Sequence, residues 1–349
     1  MSGKAQLMFS HPELKGIVTT VGSVVRNFSE DASLYGLTEK ESSRLSRAVG
    51  LNERRVVGDK LTTTSDLCVQ SAKYLLENLN IQPDSIDGII FVSQTPDYSA
   101  PSTAISMQYR LGLPITSMAF DMRLGCSGFV YGLSVAYSLI ESGLTRVLLC
   151  VGDVASRFVP ENDHTITPIM GDAGSAIFIE RGKAESFFQM YSDGTGSRSL
   201  YIPNSGLRHI DEDKELMQTM HMNGAEVFNF TLQRVPTMIE SILEFSNVAA
   251  QDIDYFVLHQ PNKYILNSIQ KRLGVSDSKF PKDTQSVYGN QNSASIPGTI
   301  SGFLNNAYST GKLISMFSGF GIGLSWASCI VNTENIFAPD VLIEGNFHE

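Results

Sequence analysis

Two stretches of this 349-residue chain read alike at one fixed spacing, and that repetition limits the folds open to it. Ile86-Asp87 opens an apolar run that ends in Gln94-Thr95-Pro96. Ile253-Asp254 opens another, ending in His259-Gln260-Pro261, 167 residues later. Gly143 precedes the run ending Val151-Gly152, and Gly311 precedes the run ending Ser318-Gly319, 168 residues later. Two independent landmarks with nearly the same shift favour a duplicated unit over the chance likeness of short α/β segments. The boundary falls near residue 183 and divides the chain into 1–183 and 184–349. A site where the halves meet then draws residues from both.

Short runs rich in β-branched residues mark strands at Gly88–Val92, Arg146–Val151, Ala176–Ile179, Tyr255–Leu258, Leu313–Phe317 and Ser328–Val331. Between them apolar residues recur at helical spacing. One set is Phe129, Val130, Leu133, Tyr137 and Ile140; another is Val227, Phe230, Leu232, Val235, Ile239 and Ile242. Buried strands alternating with helices indicate an α/β fold with parallel or mixed sheets. The polar stretch Arg208–Glu215 reads as a solvated loop.

Charge and cysteine usage exclude several classes of function. Lys plus Arg number 26 against 36 for Asp plus Glu, a net charge of -10. That balance disfavours a general nucleic-acid or anionic-membrane surface, which needs clustered basic side chains. No apolar run approaches the roughly 20 residues of a membrane span. Met1–Gly16 lacks the apolar core of a leader and reads as a plain cytoplasmic N-terminus. Cys68, Cys126, Cys150 and Cys329 are widely spread, with no zinc-ligand spacing, so free thiols in a reducing compartment are expected and no metal or cofactor is implied.

Of the four cysteines, Cys126 alone sits on a sharp turn, Leu124-Gly125-Cys126-Ser127-Gly128, ahead of a helical pattern. Helix N-terminal N–H groups favour an anion, so its pKa is expected to fall and its thiol to act as a nucleophile. The other three lie within strand or helix patterns and read as small buried hydrophobes. His259 follows a strand at its C-terminal end, where α/β proteins usually bind ligands. His164 and His221 lack that context, and His11, His209 and His348 lie near the termini or in an acidic loop. The uncharged segment Tyr288–Pro297 carries Asn290, whose amide donates and accepts without titrating; taken alone it also reads as a helix-entry cap. Shifted back by about 168 residues, this segment falls beside Cys126. Gly171-Asp172-Ala173-Gly174 and Gly319-Phe320-Gly321-Ile322-Gly323 read as turns into strands. Neither fits a dinucleotide-binding glycine pattern, and no phosphate-binding loop or Gly-x-Ser-x-Gly elbow is present.

Taken together, Gly125-Cys126-Ser127-Gly128, His259-Gln260-Pro261-Asn262, Tyr288-Gly289-Asn290 with its Gln291–Pro297 continuation, and the two glycine segments resemble the β-ketoacyl-acyl-carrier-protein synthase III family. The resemblance runs from about Gly36 to Val331. It implies a thiolase fold, a duplicated five-layer αβαβα architecture, as a homodimer. It further implies that Cys126 takes an acyl group from a coenzyme A or phosphopantetheine thioester. The backbone N–H groups of Cys126 and Ile322 then form an oxyanion hole. His259 and Asn290 hold the carbonyl of a malonyl thioester as carbon dioxide leaves. Arg157, Asn262, Phe320 and Ala100 occupy substrate-binding positions, and acyl carrier protein is the implied partner, met by Lys263, Lys271 and Arg272.

Several positions depart from the family pattern. Arg44 and Ala48 stand where acetyl-CoA-specific members have Trp and Arg, which disfavours simple acetyl-CoA priming. Ala100 replaces a bulky aromatic and implies a larger acyl pocket, and Tyr264 replaces an Arg. Two other functions compete with condensation: an acyltransferase making an ester or amide from the same acyl-cysteine, and a non-catalytic partner subunit of a synthase complex.

Overall fold

The computed structural model describes residues 5–160, 163–203, 205–208 and 219–345. Its strands in the first part of the chain are β1 (Gln6–Phe9), β2 (Pro12–Val21), β3 (Val24–Asn27), β4 (Glu53–Val56), β5 (Gly88–Val92), β6 (Met118–Met122), β7 (Arg146–Asp153) and β8 (Ala173–Arg181). They are followed by β9 (Ser186–Ser192), β10 (Leu200–Tyr201), β11 (His221–Met222), β12 (Tyr255–Leu258), β13 (Lys312–Gly321), β14 (Ser325–Glu334) and β15 (Leu342–Ile343). All six strands expected from the sequence lie inside observed ones.

Two mixed sheets carry the molecule. The six-stranded sheet runs β15-β2-β8-β7-β5-β6 and the five-stranded sheet runs β1-β9-β14-β13-β12. The inner order β2-β8-β7-β5 repeats as β9-β14-β13-β12. In both, the first two pairings are antiparallel and the third is parallel. The end strands cross over: β1 pairs with β9, and β15 pairs with β2. A division at residue 183 therefore leaves one strand exchanged at each end of the chain.

Helices fill the space outside and between the sheets. Thr64–Asn78 and Thr103–Arg110 cover the outer face of the first sheet through Cys68, Ala72, Leu75 and Met107. The first of these begins with a capping box, in which the Asp66 carboxylate takes the Thr63 N–H at 2.7 Å. Gly128–Glu141 and Ser295–Thr299 lie between the sheets, in a core that also includes Val92, Val151, Phe317 and Ala327. Gly224–Ser246 and Lys263–Leu273 cover the second sheet through Val235, Ile239, Leu266 and Ile269. Helix, sheet, helix, sheet and helix make five layers. The central helices are buried on nearly all sides because both neighbours are sheet faces.

The N-terminal stretch, for which the sequence suggested no strand, contains β1 and the first half of β2. The early charged residues Glu13 and Lys15 sit on a strand with a register irregularity between Leu14 and Gly16, which interrupts the alternation a sequence reader looks for. His209, His348 and most of Arg208–Glu215 lie outside the described residues. Gly319–Gly321 belongs to the end of β13, so only Ile322–Leu324 forms the turn into β14.

Candidate active site

Four chain segments converge between the sheets. The first is the turn from β6 into the helix Gly128–Glu141, which carries Cys126; the sulfur-bearing residue is only 7% exposed. Glycine makes this approach possible. A Cβ on Gly319 would lie 2.8 Å from the Cys126 carbonyl oxygen and 2.9 Å from Ser127 Cα, and one on Gly321 would lie 3.0 Å from the Cys126 sulfur. The end of β13 thus presses directly on the turn that carries Cys126. Behind it, the Ser127 and Ser325 hydroxyls meet at 2.7 Å, and Ser325 donates to the Ile322 carbonyl at 2.8 Å.

The Cys126 and Ile322 backbone N–H groups both act on the sulfur and favour its anionic form. Burial outweighs them. The thiol is pushed up to about 12, first by desolvation and then by the Asp153 carboxylate. The expected fall in pKa is therefore reversed. The helix terminus is present, but a thiolate in this dry setting loses more hydration than the N–H groups return.

His259 emerges at the end of β12, anchored by its backbone N–H on the Ser318 carbonyl at 2.8 Å. Its Nδ1 lies 3.1 Å from Ser295 Oγ, and Phe320 stands edge-on to the ring at 5.5 Å. Burial lowers its pKa to about 3, with the Asn292 backbone acting in the opposite direction, so the ring is neutral at neutral pH. Asn290 is held by its backbone N–H on Ile169 and by its carbonyl, which accepts from Gly171. Its Oδ1 accepts from the Asn292 N–H at 3.0 Å, so the Nδ2 end is left for the cavity. Every residue from Asn290 to Ile300 is buried, which explains the segment's lack of charge.

Cys126, His259 and Asn290 line one cavity of about 400 Å³ together with Asn262, Phe320 and Ile322. Leu45, Val49, Met170, Met220, Val227 and Phe228 make most of its remaining wall apolar. Asn262 also caps the helix Lys263–Leu273, accepting from the Ile265 N–H at 2.9 Å. Gln94, Leu200 and Ile322 are shared with a second cavity of about 530 Å³, lined also by Tyr98, Ser99, Arg123 and Phe158.

Other expected residues lie elsewhere. Arg157 is exposed outside the cavity wall and donates to the Asp59 and Thr62 carbonyls. Ala100 is exposed, next to Ser99 on the second cavity. Lys263 pairs with Asp283 at 2.8 Å, and Arg272 is tied to the Leu232 carbonyl and Thr237 hydroxyl, leaving Lys271 exposed without such a tie among the described residues. His164, passed over in the sequence, lines the main cavity, whereas His221 sits in β11. No cluster of metal-ligating side chains occurs among the described residues.

Asn292 is the residue that sequence reasoning missed. It accepts from the Cys126 thiol at 3.5 Å, donates its backbone N–H to Asn290, and touches His259 through its backbone. Its φ of 48° is the left-handed conformation that Asn adopts more readily than most residues. An Asn two positions after Asn290, in a stretch of small residues, was the available signal.

Comparison with known proteins places this geometry. Residues 120–194 match the model of 3-oxoacyl-[acyl-carrier-protein] synthase III, and residues 243–333 match its C-terminal model. The chain is 32% identical over 330 residues to β-ketoacyl-[acyl-carrier-protein] synthase III of Caldanaerobacter subterraneus, covering 90% of this chain and 97% of that one. The Lactococcus lactis enzyme of the same name is 34% identical over 276 residues, covering 77% and 84%. The crystal structure of a 3-oxoacyl-(acyl-carrier protein) synthase from Burkholderia xenovorans superposes with a TM-score of 0.93 at 32% identity, covering 99% of this chain and all of that one. The thiolase-like fold, the matched segments on both sides of the cavity and these identities together make the chain a member of the 3-oxoacyl-[acyl-carrier-protein] synthase III family of condensing enzymes.

Proposed function

We propose that this transferase loads an acyl group onto Cys126 and condenses it with a malonyl thioester, giving a β-ketoacyl thioester. The carrying observation is the convergence of Cys126, His259 and Asn290 on one largely apolar cavity, with two N–H groups directed at the sulfur. Cys126 attacks the thioester carbonyl, and the departing thiol takes up the proton the cysteine gives up. The Cys126 and Ile322 N–H groups stabilise the tetrahedral oxyanion. In the second half-reaction a malonyl thioester enters, its carbonyl held by neutral His259 and the Asn290 amide. Its C–C bond breaks, carbon dioxide leaves, and the enolate carbon attacks the acyl carbonyl. The C–S bond to Cys126 then breaks and the thiolate takes a proton from solvent. A neutral histidine still carries one ring N–H, which donates to the developing enolate oxygen.

Asn262 and Phe320 line the route of the phosphopantetheine arm. The larger primer implied by Ala100 is supported by the second cavity beside Gln94 and Ile322, so a non-acetyl or longer acyl group is the proposed substrate. Arg157 as a nucleotide clamp and Lys263, Lys271 and Arg272 as a carrier-protein patch remain part of the proposal. Of that patch, Lys271 is the cation left for an acidic carrier. A homodimer is supported by the sheet edge at β6, where Ile105, Tyr109, Ile115 and Met118 are exposed. A cytoplasmic setting is supported by four cysteines that remain free thiols. In the proposed division, 1–183 carries the nucleophile and 184–349 the histidine and asparagine.

Carbon dioxide release decides between condensation and transfer to an oxygen or nitrogen acceptor. With acyl-enzyme and malonyl thioester, one carbon dioxide per acyl group consumed is expected. Turnover to an ester or amide without carbon dioxide contradicts the proposal.

A further inference from the structure

The Cys126 thiol proton has one acceptor among the described residues, the side-chain oxygen of Asn292 at 3.5 Å. A thiol is a weak donor, so this bond directs the proton more than it binds it. The Ser127 hydroxyl, next along the chain, is already engaged with Ser325. Asn292 is buried and lines the same cavity as Cys126, His259 and Asn290. Two further contacts fix its place. Its backbone N–H donates to Asn290 Oδ1 at 3.0 Å. The single turn Asn292–Ala294 also packs on the helix that follows Cys126, since a Cβ on Gly128 would stand 3.3 Å from Ser293 Cβ. At φ 48° the residue occupies the left-handed region, which Asn, Asp and Gly enter at small cost. Of the two ends of an amide, only the oxygen can take a thiol proton.

We propose that Asn292 is a further catalytic residue of this site: its side-chain oxygen holds the Cys126 S–H away from the incoming thioester carbonyl, so that the sulfur meets the carbonyl with a lone pair. The inference rests on Cys126 being the nucleophile of the proposed acyl transfer. As sulfur bonds to the carbonyl carbon, the S–H bond breaks. The donor's own C–S bond then breaks, and the proton leaves with the departing thiol. Asn292 neither gains nor loses a proton. Its oxygen has a second effect, because accepting from the S–H favours the protonated thiol over the thiolate. The side chain therefore makes the sulfur better placed for a thioester and less reactive toward reagents that need only a thiolate. A residue that merely fills space has no such opposed pair of effects.

Asn292→Gly and Asn292→Asp both suit the left-handed backbone and test the two effects separately. Alkylation by iodoacetamide, located by peptide mapping, reports the Cys126 thiolate, and intact-mass kinetics with an acyl-CoA report loading. Each rate is read as a ratio to wild type across pH. Asp153, which acts on the thiol from the end of β7, and His164 and His259, which share its cavity, then cancel. Asn292→Gly is expected to speed alkylation, about tenfold for each unit of thiol pKa lost, and to slow loading about tenfold. Alkylation unchanged or slower, or loading unchanged or faster, overturns the proposal. Buried Cys68, Cys150 and Cys329 serve as the control in the same peptide maps. If they react together with Cys126, the fold has loosened and Asn292→Asp decides. While protonated, the introduced carboxyl still accepts the S–H, and alkylation keeps pace with wild type. As it ionises the ratio falls, about tenfold for each unit of thiol pKa gained. A ratio that stays near one across about pH 5–10 overturns the proposal. A wild-type chain that forms no acyl adduct, with both alkylation shifts present in the variants, defeats the acyl-transfer reading and leaves the hold of Asn292 on the thiol proton standing.

Discussion

The Cys126 sulfur lies at the start of a helix and is buried, and the two placements act on it in opposite directions. Helix polarity lowers a thiol pKa within the first turn, whereas loss of hydration raises it; here the balance stands at about 12. The sequence showed the turn and the following helix but carried no measure of burial, so it yielded the residue and the wrong sign. Asn292 was hidden for a related reason. Its contacts with Cys126, His259 and Asn290 depend on a left-handed backbone and on two distant segments meeting. Cys126, His259 and Asn290 themselves were legible because each sits at a strand or helix end with distinctive neighbours. At this scale Gly319 offers a direct check. A methyl group there meets the backbone of Cys126 and Ser127, which cannot rotate away. Gly319→Ala is expected to cost about 1–3 kcal/mol in denaturant unfolding and to slow Cys126 acylation; unchanged stability and acylation contradict the close approach.

Among the elements, strands buried on both faces announced themselves as continuous apolar runs, as in Gly88–Val92 and Tyr255–Leu258. β9 did not, because Ser186 and Gln189 are buried polar members of it. β2 did not, because its first residues are charged and its register is irregular. The helix Gly128–Glu141 was legible from spacing alone, yet its central position was not, since spacing gives a face and not what covers it. Wedged between two sheets, it has little room to relax. Leu133, fully buried in that layer, is expected to cost about 2–5 kcal/mol when cut to Ala, measured by urea unfolding. A loss below about 1 kcal/mol places the helix at a more yielding site.

Over the whole molecule, the repeated order β2-β8-β7-β5 and β9-β14-β13-β12 brings the two landmark pairs into equivalent strands, and the cavity opens between them. Burial on this scale also sets a pH limit. Cys68, Cys126, Cys329, Tyr137 and Tyr308 all have pKa values raised by desolvation. Groups raised on folding stabilise the fold fully below their unfolded values and cease to do so as pH rises toward the folded ones. Stability is therefore expected to fall as pH rises above about 9, where exposed thiols ionise. Urea midpoints that stay flat to about pH 11 contradict this. The central claim, an acyl-enzyme on Cys126, is tested most directly by intact-mass profiling against a panel of acyl-CoA and acyl-carrier thioesters, followed by a malonyl-thioester chase. The account predicts an acyl adduct on the wild-type chain that the chase discharges, and none on Cys126→Ala. An adduct retained by Cys126→Ala contradicts it.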